Sequence, residues 1–208
     1  RIAQAAFDFG FCEESGIEIF EEAGIVATVE YRTEKYGGWW DADTLITAIG
    51  QGDNLFTPVQ MANYAATIAN GGTLYDMSLL RAVKTSDYTA TVINRTPTVR
   101  SQIEEIEYVA YLKEGMRAVV TYGTAREVFS DYEVAVAAKT GTVQTGSDFN
   151  DGVFICYAPA DNPQIAISVV VEKGGSGAAI MDVAKLIFDE YFRIRATANA
   201  VNEGVLIP

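Results

Sequence analysis

The chain has 208 residues, 49% hydrophobic and 21% charged, which is the balance of an ordinary globular domain with room for one good core. Its formal net charge of −13, from 28 acidic against 15 basic residues with no Lys/Arg cluster, argues against a nucleic-acid surface. Histidine is absent altogether, which excludes a Ser-His-Asp triad and a His-ligated zinc site.

A base working near neutral pH must then be a perturbed lysine, a carboxylate or a group on another chain. No window approaches the roughly 18 continuous apolar residues of a membrane helix. No basic stretch followed by an apolar one opens the chain, so an export signal is expected outside it. Cys12 and Cys156 follow no metal spacing. They read as two free, non-catalytic thiols, with a disulfide as the other structural option.

In chain order, Ile2, Ala5, Ala6 and Phe9 stand at helical spacing without a capping residue before them. The chain is therefore expected to begin inside or at the start of a helix, as a piece of something longer. Residues 13–48 read as irregular with one short helix. Thr57 and Gln60 form a capping box with Pro58 at the first helical position. Met61, Tyr64, Ala65 and Ile68 make an apolar face, and Gly71-Gly72 closes that helix.

Residues 79–99 predict two short extended segments, "LLRAVKT" and "TATVIN", around a turn at Ser86-Asp87. Ser101 and Glu104 suggest a second capping box opening a helix to about Thr121, with Ile103, Ile106, Ala110 and Met116 buried. "GTAREVF" after Gly123 predicts a further short helix. From Val134 the pattern turns to strands, "VAVAAKTG", "GVFICYAP" and "QIAISVVVEK", the last two joined by "ADNP" as an antiparallel hairpin. A final helix covers "AAIMDVAKLIFDEYF" with Ile180, Val183, Ile187 and Tyr191 on one side, and the tail from Ala196 shows no pattern. The expected class is α+β, an antiparallel sheet flanked by helices.

The glycine-rich stretches fail as nucleotide cradles. "KGGSGAA" at 173–179 lacks the third glycine of a dinucleotide fingerprint and any Gly-Lys-Ser/Thr ending. "IGQG" at 49–52 fails likewise, and both read as turns or close-approach positions. The acidic pairs Glu13-Glu14, Glu21-Glu22 and Glu104-Glu105 read as solvated faces or helix-start charges. "KTGT" at 139–142 is different, because it ends a strand. A strand edge offers free backbone N–H groups, the lysine a positive charge and the threonines hydroxyl donors. Together they can hold a carboxylate and polarise a carbonyl beside it.

"KTGTVQ" resembles the Lys-Thr-Gly box of the penicillin-binding serine transpeptidases, which share a fold with the serine β-lactamases. The match extends to "FDFGFCEESGIEI", "AIGQGDNLFTPVQMANYAATIANGG", "EGMRAVVTYGTAREVF" and "VFICYAPADNPQIAISVVVEKGG", all similar to segments of class B penicillin-binding proteins. It covers nearly all of residues 1–193 in the family's order. By this resemblance residues 1–195 are the C-terminal part of a transpeptidase domain and 196–208 a tail.

The resemblance implies catalytic roles for Lys139, in proton transfer and carboxylate steering, and for Thr142, whose N–H would be half of an oxyanion hole. Thr140, Gly141, Thr142 and Gln144 would bind a D-Ala-D-Ala stem peptide or a β-lactam laid along the strand edge. It implies no cofactor, and a place on the extracytoplasmic face of the bacterial cell membrane with the anchor outside this chain. The implied partners are the upstream part of the same protein, a glycosyltransferase and other cell-wall proteins.

The departures matter. None of Ser15, Ser78, Ser86, Ser101, Ser130, Ser147, Ser168 and Ser176 has lysine three residues later or asparagine two later, so the Ser-x-x-Lys and Ser-x-Asn boxes do not occur in these 208 residues. The fragment alone is expected to be inactive and, with apolar surface left uncovered, prone to self-association. Cys12 and Cys156 stand where the family usually has glycine, and Val153 where an aromatic is common. A β-lactamase or β-lactam sensor, and a non-catalytic binding module of the same fold, stay open as alternatives.

Overall fold

The computed structural model describes residues 1–146 and 149–202, with side chains described to residue 193. The chain divides into two units, residues 1–113 and the remainder from Glu114.

In the first unit α1 (Ile2–Asp8) starts without a side-chain cap, as its sequence predicts. Phe11 packs at a tilt against Phe56 and Tyr64, with ring centroids 4.1 and 5.3 Å apart. The stretch read as irregular with one helix holds two, α2 (Val29–Tyr36) and α3 (Asp41–Ala48). Thr28 Oγ1 accepts the Tyr31 N–H at 3.0 Å to open α2, and Gly37 closes it in the left-handed region at φ 86. Asp43 reaches back to the Trp40 N–H at 2.9 Å. Arg32 then ties both helices to the loop beyond, pairing with Asp43 at 2.8 Å and Asp53 at 2.5 Å. Most residues of both segments are exposed, so these caps and ties carry what periodicity does not show.

The capping box of α4 (Pro58–Ala69) forms as expected, and Ala65 and Ile68 are buried while Met61 and Tyr64 are half-buried. The same face also buries Gln60, Asn63 and Thr67. β1 (Thr73–Tyr75) pairs antiparallel with β4 (Val99–Gln102), and β2 (Ala82–Lys84) with β3 (Thr91–Asn94). Asp87 Oδ1 accepts from the Thr85 and Thr89 hydroxyls at 2.6 and 2.8 Å, holding the expected turn.

Ser101 does not open a helix. It lies inside β4 opposite Leu74, and α5 begins five residues later, at Ile106–Thr121. Pairing with β1 uses the backbone that a cap would need. The buried side shifts in part: Ile103 and Met116 are buried as expected, but Val109 and Val120 join them in place of Ile106 and Ala110, which are exposed. Glu21 also departs from a solvated face. It is half-buried, accepts the Gly16 N–H at 2.8 Å, and hydrogen bonds around Ser15 and Gly16 outweigh its desolvation to lower its pKa.

In the second unit, α6 (Arg126–Phe129) leads to a three-stranded antiparallel sheet in the order β5-β6-β7, formed by Ala137–Val143, Asp151–Ala158 and Ile165–Val171. Strand alternation directs Ala138, Phe154, Cys156, Ile167 and Val169 into one core with Phe129 and Phe188. A 3-10 turn (Gly177–Ile180) and α7 (Met181–Asn202) follow.

The buried face of α7 is Met181, Ala184 and Phe188, not Val183, Ile187 and Tyr191; Val183 and Ile187 are 45% and 41% exposed. Of the expected set only Ile180 is buried, because the 3-10 turn shifts the helical phase after it. The helix also runs on through residues 196–202, where no pattern was legible; residues 203–208 lie outside the described residues. Cys12 is exposed and Cys156 buried, both as free thiols. No helix among the described residues is long and apolar enough to cross a membrane.

Candidate active site

β5 changes character at its middle. Ala137 and Ala138 are fully buried, then Lys139 is exposed, Thr140 and Gly141 are half-buried and Thr142 is exposed. The strand stays in register throughout, with Lys139 opposite Ile155, Thr140 opposite Phe154, Gly141 opposite Val153 and Thr142 opposite Gly152. Among the described residues β5 pairs only with β6, so its other side is a sheet edge. Alternate residues of such an edge direct N–H and C=O away from their partner strand. The polar tetrapeptide is thus mounted on a ladder whose other half is core.

Two close approaches lock this edge. A Cβ on Gly177 would lie 2.2 Å from the Val153 carbonyl oxygen and 2.7 Å from the Gly141 nitrogen. A Cβ on Gly152 would lie 2.7 Å from the Ser176 carbonyl oxygen. Only glycines let the 3-10 turn sit this tightly against β5 and β6. The stretch 173–179 is therefore the close-approach segment its sequence suggests.

Lys139 Nζ donates to the Thr140 carbonyl at 2.6 Å and makes no ion pair among the described residues. Arg117 Nη1 donates to the Val136 carbonyl at 2.7 Å, steadying the entry to the strand. Thr140 Oγ1 lies 2.9 Å from Thr124 Oγ1, a contact between the residue after Gly123 and the tetrapeptide.

Lys139, Thr140, Gly141 and Thr142 thus share one strand edge, while Gln144 lies beyond the strand's end at Val143 and is exposed. Thr124 belongs to this surface too. The sequence reading passed over it, although it stands in the quoted "GTA" stretch.

Burial pushes the Cys156 thiol far above its usual range, so it stays a neutral core group and not a nucleophile. Among the described residues no cluster of His, Cys, Asp or Glu could hold a metal ion.

The penicillin binding protein transpeptidase domain, as a family model, matches residues 8–192. The chain belongs to that family. Penicillin-binding protein 2A of Bacillus subtilis is 34% identical over 72% of this chain and 24% of its own length. The peptidoglycan D,D-transpeptidase MrdA of Haemophilus influenzae is 31% identical over 94% of this chain and 33% of its own.

Pseudomonas aeruginosa PBP2, solved with WCK 5153, superposes with a TM-score of 0.76 at 29% identity, over 91% of this chain and 43% of that one. Helicobacter pylori PBP2, solved in complex with MreC, gives 0.77 at 25% identity, over 92% and 35%. The α+β class and the penicillin-binding fold read from the sequence are thereby established. The chain spans a third or less of the length of these two curated relatives.

Proposed function

We propose that this chain forms the Lys-Thr-Gly wall of a peptidoglycan D,D-transpeptidase that works through an acyl-serine and binds penicillin. The observation that carries the reading is the Lys139–Thr142 edge. A lysine with no ion pair among the described residues, two hydroxyls and a strand edge are held together on a rigid ladder.

In this reading the stem peptide lies along β5 as an added strand. Lys139 and the hydroxyls of Thr140 and Thr142 hold its terminal carboxylate, and Gln144 extends the contact past the strand end. The serine is supplied by a segment outside these 208 residues, since no Ser-x-x-Lys occurs within them. Its oxygen attacks the carbonyl of the penultimate D-Ala, and the Thr142 N–H stabilises the developing oxyanion. The C–N bond to the terminal D-Ala breaks as its nitrogen takes a proton, leaving an acyl-serine ester. An amine of a neighbouring stem peptide then attacks the ester and frees the serine.

Every atom in this cycle comes from the serine and the two stem peptides, so no cofactor enters. The substrate places the reaction on the extracytoplasmic face of the bacterial membrane, beside the glycosyltransferase that makes the strands. The MreC complex of Helicobacter pylori PBP2 supports a scaffold of cell-wall proteins as further partners.

The test is intact mass after incubation with benzylpenicillin. The chain alone is expected to carry no adduct. A supplied segment bearing Ser-x-x-Lys and Ser-x-Asn is expected to carry one only when this chain is present. An adduct on the chain alone would overturn the assignment of the nucleophile. An adduct on the segment regardless of this chain would remove any need for the Lys139 wall.

A further inference from the structure

We infer that Thr124 is a positioning residue for the carboxylate site, turning the Thr140 hydroxyl toward its ligand. The inference rests on the transpeptidase reading above. Thr124 and Thr140 approach to 2.9 Å through their hydroxyl oxygens, and by geometry either could donate. Each hydroxyl has one hydrogen, and an ionised carboxylate only accepts. When Thr140 gives its hydrogen to a carboxylate, the contact persists only with Thr124 as donor. Thr124 therefore fixes both the rotamer of Thr140 and the direction in which its hydrogen points. A hydroxyl that accepts in this way is also a better donor, because hydrogen bonds in a chain polarise one another.

Both partners are held by backbone. The Gly123 N–H bonds to the Ala118 carbonyl at 3.1 Å, and the Ala125 N–H to the Val119 carbonyl at 3.0 Å. Ala125 is fully buried in the sheet's core, and a Cβ on Gly123 would lie 2.7 Å from Val119 Cα. Thr124 is pinned between these two anchors and cannot drift away from β5. Thr140 is held from its own side by the register with Phe154. The contact itself contributes little to folding, since Thr124 is exposed and water could satisfy its hydroxyl. What it supplies is direction.

The experiment uses the complete protein in which this chain is joined to its Ser-x-x-Lys segment. Binding and acylation constants are separated for benzylpenicillin and for its methyl ester, which has no anion to hold. T124V keeps the side-chain shape without the hydroxyl, and T124S keeps the hydroxyl. The expected result is about tenfold weaker binding of benzylpenicillin by T124V, roughly the net effect of one hydrogen bond. The acylation step should be little changed, the methyl ester indifferent to T124V, and T124S close to the parent.

The double variant T124V/T140V should be no worse than T140V, because Thr124 acts through Thr140. Parent-like binding by T124V, or an equal loss on the ester, would overturn this inference alone. A parent protein that no penicillin acylates would overturn the transpeptidase reading and this inference with it.

Discussion

From Glu114 on, three strands close over Phe129, Phe154 and Phe188, none more than 2% exposed; in residues 1–113 the buried set on α4 includes Gln60, Asn63 and Thr67. The first arrangement is held by apolar packing, and the second adds buried polar ties to an apolar set that includes Phe11, Ile68 and Leu74. Gln60 Nε2 donates to the carbonyls of Glu13 at 2.9 Å and Ala23 at 2.8 Å. Asn54 Oδ1 accepts the Ala27 N–H at 2.8 Å, and Arg100 Nη1 donates to the Glu14 carbonyl at 2.8 Å. A long loop without its own sheet can be fixed this way, one carbonyl at a time. A ladder over a core fixes every residue along its length, and that is where the Lys139–Thr142 edge is mounted. Sites on rigid elements hold their geometry better than sites on loops.

Two substitutions test the contrast, the larger first. F154A removes a fully buried ring from beneath the strand position opposite Thr140. It should cost about 3–5 kcal/mol in urea unfolding, and it should loosen the edge enough to slow acylation as well. Q60A removes a cap acceptor and the donor to two carbonyls. It should cost about 1–3 kcal/mol, with amide-exchange protection lost around residues 13–24 and not along β5. If Q60A proved the costlier change, or if its exchange losses fell on the sheet, the contrast between the two units would be wrong.

The same contrast explains what the sequence shows and what it hides. β5, β6 and β7 were legible because alternation and a core-facing side report each other, and Thr57, Pro58 and Gln60 announced α4 by local chemistry. α2 and α3 were hidden because their residues face solvent on most sides, leaving only Thr28, Gly37 and Asp43 as signals. Ser101 misled because a serine three residues before a glutamate is equally at home in a strand, and its partner Leu74 is 27 residues away.

The placement of Lys139 to Thr142 at the end of one strand could be read directly, since they are consecutive in the sequence. Thr124 could not, because its role comes from a contact across 16 residues that no local pattern encodes.

The most direct measurement of the central claim is the penicillin acylation rate of the complete protein with K139A. Without the lysine cation on the strand edge, the rate should fall by about 10²-fold or more, the scale of losing one preorganised charge-stabilising group. An acylation rate within a few-fold of the parent would show that the edge is not part of the reacting surface, and the account built on it would fail.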